Sequence, residues 1–329
     1  MKIIISRTDN LGDVILTLPL AGFFKEQNPE NQIIFIGKNY TQAIVENCKF
    51  VDKFFAKETL LQNPDLLVQE KAEVILFVFP DIEIAQLAKK AQIPLRIGTS
   101  HRWWHWWYAN KRVNFSRKNS DLHEAQLNFK LLQALDMYIE PNFGLIQDWY
   151  GLQAPALPEN LKNLLSTEKL NIILHPKSKG SAREWHLDSY FALAKHNPDM
   201  QFFITGTQSE GDLILSQKPQ IFELPNVQNL TGKLNLQELI AFIGAVEGIV
   251  ACSTGPLHIA AALGKYALGI YPPIRPMHPG RWQPIGKKAK VLVLEKDCSA
   301  CRKSNTCACI YAISVAEVSQ EIAKWQKEA

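Results

Sequence analysis

Charge of one sign, glycine-rich phosphate fingerprints and long apolar runs are all scarce in this 329-residue chain, and each scarcity excludes a class of function. Lys and Arg exceed Asp and Glu by only four, too few for a protein that coats nucleic acid along its length, so no nucleic-acid partner is expected. The segment Arg7-Thr8-Asp9-Asn10-Leu11-Gly12-Asp13 has one glycine where a dinucleotide fingerprint needs three. Gly206-Thr207-Gln208-Ser209-Glu210-Gly211 has the glycine spacing of a P-loop but continues into Asp212-Leu213 instead of Lys-Ser/Thr. No Asp-x-Asp pair with Mg²⁺-binding spacing is present, so a diphosphate would be met by Lys, Arg and helix dipoles, and metal-independent chemistry without a cofactor is expected. The longest uncharged stretch, Gly248 to Gly264, is interrupted by Ser253-Thr254-Gly255-Pro256 and contains His258, which excludes a membrane span there. Lys2-Ile3-Ile4-Ile5-Ser6 is followed at once by charged residues, without the apolar core of a signal peptide, so a cytoplasmic protein with at most peripheral membrane contact is expected.

What remains is the composition of a folded protein, 47% hydrophobic and 21% charged, in a chain longer than one core usually serves. Apolar runs without alternation, such as Val74–Phe79, alternate with helical patterns, which predicts parallel sheets buried on both faces. The first half reads as strands at Lys2–Ser6, Gln32–Ile36, Val51–Phe55 and Glu73–Phe79. Its helices read as Asp13–Gln27, Tyr40–Asn47, Ile82–Ala91 and one from Ser120 to about Met137. Pro141, Pro155 and Pro158 then mark a boundary, giving an expected first domain of 1–155 and a second of 156–313, each a doubly wound α/β fold. Ser314-Val315-Ala316-Glu317 is a capping box that opens a last helix. In such domains ligands lie beyond the strand C-termini, and in a two-domain protein in the cleft between the domains, so the loops after strands carry the chemistry.

Asp13 follows the first strand at the start of a helix, beside Arg7 and Gly12. It is either a capping carboxylate or an always-ionised base whose pKa the helix N-terminus lowers. Cys252-Ser253-Thr254-Gly255-Pro256-Leu257-His258 runs from a buried strand into a helix whose free amides suit a diphosphate, against the plainer reading of an ordinary turn with His258 in the core. The loop from His175 through Lys177, Lys179 and Arg183 to Trp185 carries three cations that could neutralise a leaving phosphate or simply be solvated. Glu210 either accepts from sugar hydroxyls or begins a helix.

Arg7-x-Asp9-Asn10-Leu11-Gly12-Asp13-Val14 with Leu18-Pro19, the Arg183-x-Trp185 loop, Gly206 with Glu210, and Ser253 through Gly264, in this order along nearly the whole chain, resemble glycosyltransferase family 9, the ADP-heptose:lipopolysaccharide heptosyltransferases. His123-Glu124 is similar to the His-Glu pair this family carries late in its first domain. The resemblance implies a GT-B fold of two Rossmann-like domains, acceptor first and nucleotide-sugar second, with the final helix (314–329) packing back on the first domain. It implies inverting transfer from ADP-heptose to a lipopolysaccharide core acceptor, with Asp13 as general base. Lys177, Arg183, Glu210, Ser253, Thr254, Gly255 and His258 would then bind donor, and Arg7, Asn10 and Gly12 would contact acceptor. Two positions depart from the family: Ser253 stands where an acidic residue is usual and Arg183 where lysine is. Arginine keeps the charge, whereas serine leaves another nucleotide-activated hexose open as donor. A non-catalytic sugar-nucleotide-binding protein and an epimerase remain alternatives, the first disfavoured by Asp13 and the second by the lack of a converging acid and base.

Two clusters stand outside this pattern. Between Ile84 and Ser120 lie eight cations and no acidic residue, around Trp103, Trp104, Trp106 and Trp107. With Arg102 and Arg112, Trp104 and Trp107 are expected to seat an anionic glycolipid acceptor and hold the enzyme at the inner leaflet, one or two of the rings filling core instead. Cys298, Cys301, Cys307 and Cys309 supply enough ligands for a tetrahedral zinc, but the tight Cys-x-Cys half favours four reduced thiols in a surface loop.

Overall fold

A computed structural model describes residues 1–118, 120–275, 277–294, 298, 301 and 307–327. The chain divides into two compact units, Met1–Gln153 and Ala154–Ala329. In the first, β1 (Lys2–Ser6), β2 (Gln32–Gly37), β3 (Lys53–Ala56), β4 (Val74–Phe77), β5 (Leu95–Thr99) and β6 (Lys111–Val113) form one parallel sheet in the order β3-β2-β1-β4-β5-β6. Ile3, Ile4, Ile5, Ile75, Leu76 and Phe77 are fully buried, as the unalternating runs of β1 and β4 require of central strands covered on both faces. The order reverses between β1 and β4, which makes the loop after β1 the switch point of this sheet.

Two expected helices are cut. The segment from Asp13 to Gln27 breaks into Leu11–Ile15 and Pro19–Gln27, because Pro19 cannot donate to the helix before it and occupies the first turn of the next. The helix expected from Ser120 starts only at Glu124, capped by the His123 ring, which accepts from the Ala125 amide at 3.2 Å, and tightens into a 3₁₀ segment at Lys130–Leu135. Strands β5 and β6 were not anticipated. Both carry arginine, and β6 is a three-residue edge strand.

The second unit repeats the plan with β7 (Asn171–His175), β8 (Gln201–Ile204), β9 (Val227–Asn229), β10 (Gly248–Cys252), β11 (Tyr266–Tyr271) and β12 (Ala289–Val293), all parallel, in the order β12-β11-β10-β7-β8-β9. Here the switch point lies between β10 and β7. The final helix, Val315–Ile322, belongs to the core of this second unit. Its apolar stripe Val318, Ile322 and Trp325 recurs at helical spacing and is buried there, and Trp325 lies parallel to Tyr266 with ring centroids 5.1 Å apart. Gly248 at the head of β10 permits this seating, since a Cβ there would fall 2.6 Å from the Trp325 ring. The capping box reads as the sequence has it, with Ser314 and Glu317 exchanging side-chain to backbone bonds at 3.2 and 2.8 Å.

Candidate active site

The loop at the first switch point folds onto a buried charged cluster. Arg7 leaves the end of β1 and is 3% exposed. Its Nε donates to Asp9 at 2.7 Å, one Nη pairs with Asp13, and the other donates to Glu124 and to the Asn128 side-chain oxygen, each at 3.2 Å. Arg117 closes the cluster from the far side, pairing with Glu124 and donating to Asn128 and to the Val78 carbonyl, each at 3.1 Å. Asn128 in turn donates to the Leu16 carbonyl at 3.0 Å, which ties the cluster to the end of the helix bearing Asp13. Two guanidiniums thus face three carboxylates, and the cluster carries one negative charge when all are ionised.

Burial, more than this imbalance, decides the state of Asp13. Burial raises its pKa, the attraction of Arg7 opposes this, and the neighbouring charges of Asp9 and Glu124 add to the rise, leaving it at about 6. The expectation of a carboxylate held always ionised by a helix end is therefore corrected. Leu11–Ile15 is a single short turn whose Asn10 cap makes no side-chain bond, and desolvation outweighs it. Asp9 shifts upward for the same first reason, burial. Burial works against the Arg7 charge, but Asp13, Glu124 and Asp9 more than compensate and raise its pKa. Arg7, expected to contact acceptor, is engaged by these carboxylates. Asn10 is exposed and Gly12 half-buried on the same turn. Glu124 enters as half of the family's His-Glu pair, whereas Arg117 and Asn128 were missed, because nothing in their spacing marks them as partners of Arg7.

In the second unit, the loops expected to bind donor follow β7 and β10, the two strands that flank the switch point. The Trp185 amide donates to Cys252 Sγ at 3.2 Å and locks one loop to the other. Lys177 is held by Glu184 at 2.8 Å, and the Ser178 amide and hydroxyl donate to the same carboxylate at 2.8 and 3.0 Å, which fixes the loop between Lys177 and Arg183. Arg183 is half-buried beside them. Thr254 precedes the helix Gly255–Ala262, and its buried hydroxyl makes no hydrogen bond among the described residues. His258 is buried on that helix, and the Ser253 hydroxyl bonds to the Tyr271 phenol. One Glu210 oxygen accepts from the Thr207 amide at 2.7 Å and hydroxyl at 2.9 Å, a capping box for Gln208–Gln217. His175, given no role from the sequence, ends β7 buried, with its ring 2.9 Å from the Thr205 hydroxyl. Burial lowers its pKa to about 4 against the pull of Glu210 and Glu184, so it is neutral at pH 7.

The tryptophan run divides. Trp104 corrects the expectation of an acceptor contact: it is buried in the first unit's core, with His105 edge-on beside it at 4.2 Å between centroids. Trp103, Trp106 and Trp107 are 74, 63 and 67% exposed, and the Arg112 guanidinium stacks over Trp106 at 4.2 Å. Arg102 is exposed on the same turn. The cysteines correct the expected surface loop, for all four are buried.

Two doubly wound units, each with its polar loops at a switch point, match the GT-B fold of glycosyltransferases. Residues 66–311 match glycosyltransferase family 9 (heptosyltransferase), and the chain belongs to that family. The match takes in Glu124 and every second-unit loop described above, while the Arg7–Asp13 loop lies before it. A Haemophilus influenzae protein named "Putative glycosyltransferase" is 29% identical over 307 residues, 86% of each chain. Among solved structures, a family 9 glycosyltransferase of Veillonella parvula superposes with a TM-score of 0.76 at 18% identity, covering 98% of this chain and 96% of its own. The E. coli ADP-heptose lps heptosyltransferase II does so with a TM-score of 0.73 at 19% identity and 98% of both chains. At these identities the two structures support the fold. No helix among the described residues is long and apolar enough to cross a membrane.

Proposed function

We propose that the protein transfers heptose from ADP-heptose to the lipid A-linked inner core of lipopolysaccharide with inversion at the anomeric carbon, Asp13 serving as general base. The observation that carries this reading is the Arg7–Asp13 cluster: a carboxylate oriented by a buried guanidinium, at a switch point, with a pKa near 6. A base of that pKa is ionised at pH 7 yet far stronger than an ordinary aspartate, so it accepts a hydroxyl proton as that hydroxyl attacks. As the acceptor oxygen bonds to the anomeric carbon, the bond from that carbon to the diphosphate oxygen breaks, the proton passes to Asp13, and ADP departs. Lys177, Arg183 and the amides at Gly255 are the groups suited to the diphosphate charge, with Thr254 and His258 beside them. The family membership and the name of the E. coli relative support heptose, ADP and lipopolysaccharide. Ser253, serine at a usually acidic position and engaged by Tyr271, favours as second reading a different nucleotide-activated sugar on the same machinery. The exposed tryptophans among Arg102 and Arg112 support peripheral contact with an anionic glycolipid surface.

Incubating the protein with ADP-heptose, with and without a heptose-free core acceptor, tests the reading. Acceptor-dependent release of ADP with a heptosylated product is expected. Donor conversion without acceptor would mean an epimerase, and an intact donor that binds tightly would mean a binding module.

A further inference from the structure

Four thiols from Cys298, Cys301, Cys307 and Cys309 converge in the core of the second unit, in a place that sugar transfer does not use. They are 9, 4, 1 and 6% exposed. Cys301 Sγ stands at the middle, 3.0 Å from Cys298, 3.2 Å from Cys307 and 3.8 Å from Cys309. The sulfurs of Cys298, Cys301 and Cys309 all lie within 4.8 Å of one another.

Three chemistries bring sulfurs together. A disulfide joins one sulfur to one other at about 2.05 Å, whereas Cys301 has three neighbours well beyond that distance. Cysteines that merely fill core behave as small apolar groups and have no reason to aim their sulfurs at a common centre. A tetrahedral metal ion with metal–sulfur bonds of about 2.3 Å draws its sulfurs to just under 4 Å of one another, and the mutually close sulfurs of Cys298, Cys301 and Cys309, with Cys307 3.2 Å from the central one, are a set that such an ion would gather.

We infer that Cys298, Cys301, Cys307 and Cys309 hold one tetrahedral, thiolate-bound transition-metal ion, with zinc as the expected occupant. On binding, four S–H bonds release their protons to solvent and four metal–sulfur bonds form, with no change of oxidation state. The ion closes a loop of twelve residues and fixes the short helix Ala308–Tyr311 that carries Cys309. Beyond that helix the Ile313 carbonyl accepts from the buried Trp185 indole at 3.0 Å. Trp185 is the residue that locks the Arg183 loop to the turn after β10. The metal clip is thus joined through Ile313 and Trp185 to the loops assigned to donor, a consequence that rests on the proposed function, whereas the metal site itself does not.

The test is elemental analysis of protein purified without chelators, beside Cys301→Ser and, as control, Cys48→Ser, whose thiol lies in the first unit. About one zinc per chain in the wild type and in Cys48→Ser, and less than a tenth of that in Cys301→Ser, is expected. Should Cys301→Ser fail to fold, cobalt replacement in the wild-type protein decides the matter through the thiolate charge-transfer and tetrahedral d–d bands of a four-sulfur site. One iron per chain would keep the site and overturn zinc as its ion. A folded wild type without stoichiometric metal, or a mass two protons short that shows a disulfide, would overturn the site. Stripping the ion with a mercurial and restoring the thiols is expected to weaken ADP binding several-fold. Unchanged ADP affinity would remove the clip's effect on the donor loops, and a metal-replete wild type that binds no ADP would count against the proposed function alone.

Discussion

Arg7 and Asp13 stand six positions apart, on either side of the turn that leaves β1, and their side chains meet in a buried ion pair that Asp9 and Glu124 share. The pair orients one Asp13 oxygen, while burial, and after it the charges of Asp9 and Glu124, keeps the proton affinity of the carboxylate high. Replacing Asp13 by Asn preserves shape and hydrogen bonding but removes the basic lone pair. Transfer is expected to fall by about 10²–10⁴-fold. Near-wild-type turnover in a folded Asp13→Asn would leave Asp13 as a structural carboxylate only.

The same variant has a stability signature with a definite sign. A carboxyl whose pKa rises from 3.8 to about 6 on folding stabilises the protein fully below pH 4, and that contribution is lost as pH rises through 6. Keeping Asp13 charged in its 12% exposed site therefore costs on the order of 3 kcal/mol at neutral pH. Asp13→Asn should gain in melting temperature relative to wild type as pH is raised from 4 to 7. A difference that is flat across this range would contradict the raised pKa.

Glu124 acts on Asp13 through charge alone, raising its pKa without touching it. The acid limb of kcat/KM, which reports ionisation of the base, is expected near pH 6 in the wild type and at lower pH in Glu124→Gln. The direction distinguishes an electrostatic effect from general damage, which lowers the rate without moving the limb.

Much of this arrangement was legible beforehand, and the reasons differ by element. Central strands such as β1, β4, β10 and β11 declare themselves because both faces are buried and the apolar run is unbroken. The edge strands β6 and β12 do not, since Lys111-Arg112-Val113 and Ala289–Val293 are short or half-exposed. The positions of Asp13, Arg183 and Thr254 beyond strands followed from the same rhythm. The Arg7–Glu124–Arg117 cluster did not, because it joins residues 117 positions apart, which no local pattern encodes. The Asp13 pKa rises where the helix start alone implies a fall, because the sequence shows that start but not the depth of burial.

For the donor loops, Arg183→Ala removes a cation beside the Lys177–Glu184 pair. A lost charge-assisted contact of about 1.5–3 kcal/mol should raise the dissociation constant for ADP and for the intact donor alike, as calorimetry would show. Wild-type ADP affinity would remove Arg183 from the site, and tighter binding of UDP than of ADP would count against ADP-heptose.

The last expectation concerns Trp103, Trp106 and Trp107, which the turn leading into His105–Tyr108 divides from their neighbours. Trp104 and His105 point inward, the His105 ring sitting over Gly98, where a Cβ would fall 2.9 Å from it. Burial, and then the charges of Arg102 and Arg112, lower the His105 pKa, so the cationic character of this surface comes from lysine and arginine. Three exposed indoles with Arg112 stacked on Trp106 form a surface that gains by entering a headgroup layer, each nearby cation adding about 1 kcal/mol against anionic lipid. Replacing Trp103, Trp106 and Trp107 by Ala and Arg102 by Gln, with Trp104 retained for the core, is expected to weaken sedimentation with anionic liposomes and raise KM for a lipid-linked acceptor. ADP affinity should stay unchanged, and added salt should weaken wild-type liposome binding, since the charge part is screened. Liposome binding and acceptor KM that persist unaltered in the folded variant would show that these indoles do not meet the acceptor surface.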